Sequence, residues 1–330
     1  MAKLNITGLS PDLTWGARVG GVDISSLQDA DVRAELAELL VQRGMIVFEG
    51  LDPSSRLHIE ISKVFGPLKD HPTKSTARAD TNLEKGIIEI DYTGGTLPGT
   101  DHGLTEVDGK KLISFLPWHF DHTYNDELNY AGVLRPMVLA PEMGRTGFVD
   151  GIDIYKQLGS DLISRIEDKN VLYTLDVRLT QMHFGRYFKT FGDIPSQAGN
   201  RAEAATFPRA IHPMVWTRPD GQKVAHYCGY GSEGIEGHED PVGNELFEEA
   251  LQALYAVITP YWHDWKLSDM LIWDNARVLH SVEGCDPKYP RKVHRTTIRG
   301  DYGLGRFEGG KKIGEVQREI APLDLPEPVQ

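Results

Sequence analysis

The chain has 330 residues, 40% of them hydrophobic, which suits one large domain or two small ones. Its formal net charge of -13, with no basic block, argues against nucleic acid as a partner and requires any anionic substrate to be held by a few local cations. Two cysteines without a CxxC spacing, no basic-apolar leader at Met1–Ser10 and no apolar run of membrane-spanning length together predict a soluble cytoplasmic protein with no membrane partner.

The first predicted helix is capped by Ser25 or Ser26, carries an apolar stripe of Val32, Leu36, Leu39 and Leu40, and ends at Gly44. A short buried strand follows at Met45–Phe48. A second helix runs from about Ser54 to Phe65, with Leu57, Ile61 and Val64 on one face and Gly66-Pro67 as its stop. Residues 70–109 are polar and rich in Gly, Thr and Pro, with one clear strand at Ile87–Ile90. So long a stretch reads as a lid. Short strands then alternate with turns. A helix at about Asn244–Val257 buries Phe247, Ala250, Leu251, Leu254 and Ile258, and core strands are expected at Leu271–Trp273 and Lys292–Arg299. No internal repeat or linker divides the chain. The expectation is a single domain over 1–330, mainly β with helical cover, built as a double-sheet jelly roll (double-stranded β-helix).

His119 and Asp121 are two residues apart. On a strand that spacing puts both side chains on one face, roughly 6–7 Å apart at Cα. With His280 they form two imidazoles and one carboxylate, the ligand set of non-haem Fe(II) oxygenases. His280 lies 159 residues from Asp121, so only the fold can bring it there. The ordinary alternative for His119 is a satisfied structural histidine. A second His-x-Asp, His238-Glu239-Asp240, lacks an apolar frame and is rejected. Arg291 and Arg295 fall on one face of an alternating strand, roughly 13 Å apart, so they suit two different anions. Structural salt bridges are the alternative. On this register Lys292 and His294 face solvent.

These residues resemble the TauD/TfdA family of Fe(II)- and 2-oxoglutarate-dependent dioxygenases. The resemblance runs from Gly16-Ala17-Arg18-Val19-Gly20-Gly21-Val22-Asp23, through Phe65-Gly66-Pro67 and Trp118-His119-Phe120-Asp121, to Trp273-Asp274-Asn275, His280 and His294-Arg295. Its most specific part is His-x-Asp, a Thr 25 residues later, and a His followed 11 residues on by Arg. The resemblance implies Fe(II) on His119, Asp121 and His280, and O2 as oxidant. It implies that Thr146 and Arg291 hold the distal carboxylate of 2-oxoglutarate, and that Arg295 holds a substrate sulfonate or carboxylate. It also places His71, Lys74 and Phe115 on the substrate side. Where taurine dioxygenase has a tyrosine and an asparagine, this chain has Lys74 and Phe115, so a carboxylate with an apolar or aromatic body is expected rather than taurine. The implied reaction is C–H hydroxylation with release of succinate and CO2, in a homo-oligomer. A non-redox metal hydrolase or lyase, and a non-catalytic jelly-roll binding protein, remain as alternatives.

Overall fold

The computed structural model describes residues 4–69, 79, 86–92, 101–193, 206–300 and 302–310. Most of the expected lid, with His71 and Lys74, lies outside the described residues.

In chain order the first strands and helices are β1 (Asn5–Gly8), β2 (Ala17–Gly20), α1 (Ala30–Arg43), β3 (Met45–Glu49), α2 (Ser55–Phe65), β4 (Leu68–Lys69), β5 (Ile87–Asp91), β6 (Thr105–Val107), β7 (Lys110–Leu112) and β8 (Leu116–His119). The middle of the chain forms β9 (Ala131–Val138), β10 (Thr146–Asp150), α3 (Gly151–Gln157), α4 (Ser160–Ile166), β11 (Asn170–Tyr173), β12 (Lys189–Thr190), β13 (Ala210–Pro213), β14 (Val215–Thr217), β15 (Lys223–Ala225) and β16 (Ser232–Ile235). Then come α5 (Pro241–Val257), β17 (Tyr261–His263), β18 (Met270–Asp274), β19 (Val278–Val282), β20 (Lys292–Ile298) and β21 (Arg306–Phe307). The chain is mainly β, as expected.

The main sheet has eight strands in the order β1-β2-β3-β18-β9-β20, with β4 and β5 both pairing the far side of β20. β3 is an interior strand, with β2 on one side and β18 on the other, and its Met45–Phe48 are all fully buried. A strand covered on both faces reads as a continuous apolar run rather than an alternating one. The second sheet, β17-β10-β19-β8, carries most of the site. Leu134, Leu271 and Trp273 of the main sheet and Phe148 and Val278 of the second share one buried cluster, which joins the two. A third sheet, β16-β11-β13-β21, packs with α3, α4 and α5 around a separate cluster.

Several local expectations change. The N-cap of α1 is Asp29, whose side chain accepts from the Asp31 amide, because Ser26–Gln28 form a separate 3-10 turn. Gly44 ends α1 in the left-handed region at φ 76°. α5 starts three residues earlier than expected, since Asp240 caps it and Pro241 fits the first turn, where no amide partner is needed. Two short helices, α3 and α4, stand where only strands and turns were expected, and β6 adds a strand to the 70–109 stretch. His294 is buried rather than solvated, its Nε2 3.3 Å from Glu89 Oε2, because β20 lies inside the sheet between β9 and β5 and α2 packs against it. Among the described residues no helix is long and apolar enough to cross a membrane.

Candidate active site

β8 ends at His119, so Asp121 lies in the following turn and not on the strand; its closeness to His119 comes from that turn. His280 sits inside β19 and pairs directly with His119 across the two strands. One donor atom from each of His119, Asp121 and His280 lies within 4.8 Å of the others, and all three residues are buried. The Nε2 atoms of His119 and His280 are 3.9 and 3.7 Å from the two Asp121 carboxylate oxygens. No other group of three or more potential metal ligands converges among the described residues. His238 and Asp240 are exposed, and Asp240 serves as a helix cap.

The ring orientations suit metal binding. His119 Nδ1 lies 2.7 Å from the Pro117 carbonyl oxygen, which can only accept, so the proton sits on Nδ1 and the Nε2 lone pair faces the site. The His280 ring lies between Trp273, 4.8 Å away, and Phe148, stacked at 16°. Burial lowers the pKa of His119, with Arg295 adding to the effect and Asp121 opposing it. Burial, with His119 beside it, pushes His280 well below the ordinary value. Both rings are therefore neutral donors near pH 7. Burial disfavours a charged Asp121, but Arg295, His280 and His119 together outweigh it and hold the carboxyl below its usual range. Two neutral imidazoles and a carboxylate fit Fe(II) with positions left open.

The two arginines differ. Arg295 Nη1 donates to Asp121 Oδ1 at 3.0 Å, and Nη2 lies 2.8 Å from Oδ2. Its guanidinium also lies 5.8 Å from the Trp273 ring centroid. Gly132 makes room for both groups, since a Cβ there would meet Trp273 at 3.0 Å and Arg295 at 3.2 Å. Arg291, only 4% exposed, has no carboxylate partner among the described residues. Burial lowers its pKa. A buried guanidinium without a counter-ion is costly, so the position calls for an anionic ligand.

Thr146, fully buried at the start of β10, accepts a 3.0 Å hydrogen bond from Trp265 Nε1, which leaves its own hydroxyl proton free to donate. Trp265, Gly144 and Arg291 line one cavity, bounded by the Arg145–Glu283 ion pair. Phe115 is buried against Phe188 and Tyr187, with ring centroids at 5.2 and 6.1 Å. It shares a cavity with Tyr92, Val177 and Tyr230, and the Tyr230 ring stands 5.2 Å from His119. The structure thus brings together His119, Asp121, His280 and Arg295, joins Phe115 to them through Tyr230, and joins Arg291 to Thr146 through Trp265.

Sequence reasoning missed three residues. Trp265 and Tyr230 carry no spacing signal. Asn275 lies within a quoted motif, but its contact with Asp121 spans 154 residues and is visible only in the fold.

The profile described as "Taurine catabolism dioxygenase TauD, TfdA family" matches residues 5–297. The (S)-phenoxypropionate/alpha-ketoglutarate-dioxygenase of Sphingobium herbicidovorans is 25% identical over 291 residues, covering 88% of this chain and 93% of the relative. The alpha-ketoglutarate-dependent 2,4-dichlorophenoxyacetate dioxygenase of a Burkholderia species is 24% identical over 289 residues, covering 86% and 91%. Among solved structures, AAD-2 in complex with Mn(II) and N-oxalylglycine matches with a TM-score of 0.65 at 19% identity, covering 90% of this chain and 98% of its own, which supports the fold. The profile match spans nearly the whole chain, so this protein belongs to the TauD/TfdA family and is a 2-oxoglutarate-dependent non-haem iron dioxygenase that uses Fe(II), 2-oxoglutarate and O2.

Proposed function

We propose that this enzyme hydroxylates a C–H bond of a small anionic substrate with an apolar or aromatic body. The observation that carries the reading is the convergence of His119, Asp121 and His280, together with a buried Arg291 that has no carboxylate partner among the described residues. The three converging residues hold Fe(II). When bound, Fe(II), 2-oxoglutarate and O2 supply the oxidising chemistry, with succinate and CO2 released. Arg291 and the Thr146 hydroxyl bind the distal carboxylate of 2-oxoglutarate, with Trp265 fixing the rotamer of Thr146. Phe115 and Tyr230 form an apolar wall that excludes water from one side of the site. Arg295, whose Nε–H has no hydrogen-bond acceptor among the described residues, orients the substrate anion and with it the C–H bond that reacts. His71 and Lys74, which the resemblance assigns to the substrate side, lie outside the described residues. The aryloxy acids in the names of two relatives agree with this substrate class. We read the two main sheets as the halves of a double-stranded β-helix in one domain, supported by the cluster they share. No observation favours the non-redox hydrolase or the non-catalytic binding protein.

The test is to add Fe(II) and 2-oxoglutarate anaerobically and record the visible spectrum, then titrate aryl carboxylates and sulfonates. A weak charge-transfer band that an aryl carboxylate perturbs is expected. No band with iron bound would overturn the site. A band that neither aryl carboxylates nor aryl sulfonates perturb would overturn the substrate class.

A further inference from the structure

Asn275 lies in the turn between β18 and β19 and is completely buried. Its carboxamide acts as a short piece of strand edge. Oδ1 accepts from the Asp121 amide at 2.8 Å, and Nδ2 donates to the Asp121 carbonyl at 2.9 Å. The same Nδ2 lies 3.2 and 3.3 Å from Asn129 Oδ1 and the Asn129 carbonyl. The Asn275 backbone amide donates to the Tyr130 carbonyl at 2.9 Å. Both ends of the loop from Asp121 to Tyr130 are thus tied to one residue.

The need for such a clamp follows from where β8 stops. The ladder between β8 and β19 pairs His119 with His280, and Asp121 lies beyond it. Its buried peptide group would lack partners without Asn275. Asn275 is five residues ahead of His280 on the same hairpin. Fixing Asp121 to Asn275 therefore fixes the carboxylate relative to the second imidazole.

We infer that Asn275 is a positioning residue that presets the Asp121 carboxylate against His119 and His280 before metal binds. The inference rests on the reading of Asp121 as an iron ligand. Partners that orient metal ligands typically change affinity by about 10–100-fold when removed.

The experiment compares wild-type protein with Asn275→Ala, the gentler Asn275→Ser and an Asp121→Ala control. It measures the Mn(II) dissociation constant by electron paramagnetic resonance and the rise in melting temperature that saturating Mn(II) produces. Positioning predicts about 10–100-fold weaker Mn(II) binding in Asn275→Ala, an intermediate loss in Asn275→Ser, and a smaller Mn(II)-induced rise in both. A purely structural role predicts metal-free and Mn(II)-loaded melts that fall in parallel, with the dissociation constant unchanged. That result overturns the inference, and Asn275→Ser alone decides it if Asn275→Ala does not fold. Wild-type Mn(II) affinity in Asp121→Ala would instead overturn the ligand assignment itself.

Discussion

Arg295 is the residue on which substrate binding and metal binding meet. Its guanidinium braces Asp121 through two contacts and keeps its Nε–H without a hydrogen-bond acceptor among the described residues. Removing the side chain tests both uses at once. If orienting the substrate anion is its main work, Arg295→Ala raises the substrate KM about 10-fold or more, the loss of one charge-assisted hydrogen bond, and leaves Mn(II) affinity near wild type. An unchanged substrate KM with weaker Mn(II) binding would leave only the brace. At the other end of the site, Trp265→Phe keeps the ring against His263 but removes the indole donor to Thr146. The expected result is a higher KM for 2-oxoglutarate with the primary substrate KM unchanged, measured by oxygen uptake at fixed substrate. An unaltered 2-oxoglutarate KM would show that the Thr146 rotamer does not depend on Trp265.

Whole elements are held in register by charged side chains that no periodicity rule detects. Asp150 caps the start of α3 by accepting from the Ile152 amide, and pairs with Arg277 at 2.7 Å. Arg277 in turn donates to the Gln42 carbonyl at the end of α1. Gly44 is required twice there: for its positive φ, and because a Cβ would press on the Arg277 side chain at 3.0 Å. Arg277→Ala leaves a buried carboxylate and an open helix end, and should destabilise the protein by about 3–5 kcal/mol. Adding Asp150→Asn, which can still cap α3, should restore part of that in urea denaturation. If the double variant is no more stable than Arg277→Ala, the orphaned carboxylate is not the cause. Such links show where sequence reading stops. The stripe of α1, the stop at Gly44 and the apolar run of β3 are set by neighbours in sequence and were legible. The cap at Asp29, three residues or more from the serines expected, depended on competition between adjacent turns. The burial of His294 depended on α2 and β5, both about 200 residues or more away in sequence. The ligand set was legible in residue type and spacing, yet the geometry behind it was wrong: Asp121 reaches the site from a turn held by Asn275, not from a strand.

At the scale of the molecule, buried neutral histidines are spread through the packing and make stability depend on pH. His58 is fully buried, its Nε2 lies 3.1 Å from the Val133 carbonyl oxygen, and it fastens α2 to the main sheet; burial lowers its pKa to about 3. On the side of the third sheet, burial lowers His226 to about 3 and His212 to about 4, the latter despite a hydrogen bond to the Asn125 carbonyl. All three have an ordinary value of 6.5, which the unfolded chain recovers. Between that value and the folded one, the unfolded state binds protons that the folded state refuses. The stability from these groups is therefore fully present above about pH 6.5 and is lost as pH falls towards 3–4. Each histidine contributes a slope approaching about 1.4 kcal/mol per pH unit, so the three together remove on the order of 4 kcal/mol by about pH 5.5. His58→Gln, whose amide can still donate to the Val133 carbonyl, should lower the slope of unfolding free energy between pH 6 and 4 by about one proton's worth. Urea denaturation of both proteins across that range measures it. An unchanged slope would mean that His58 takes up its proton in the folded protein, and that α2 tolerates a charge against the main sheet.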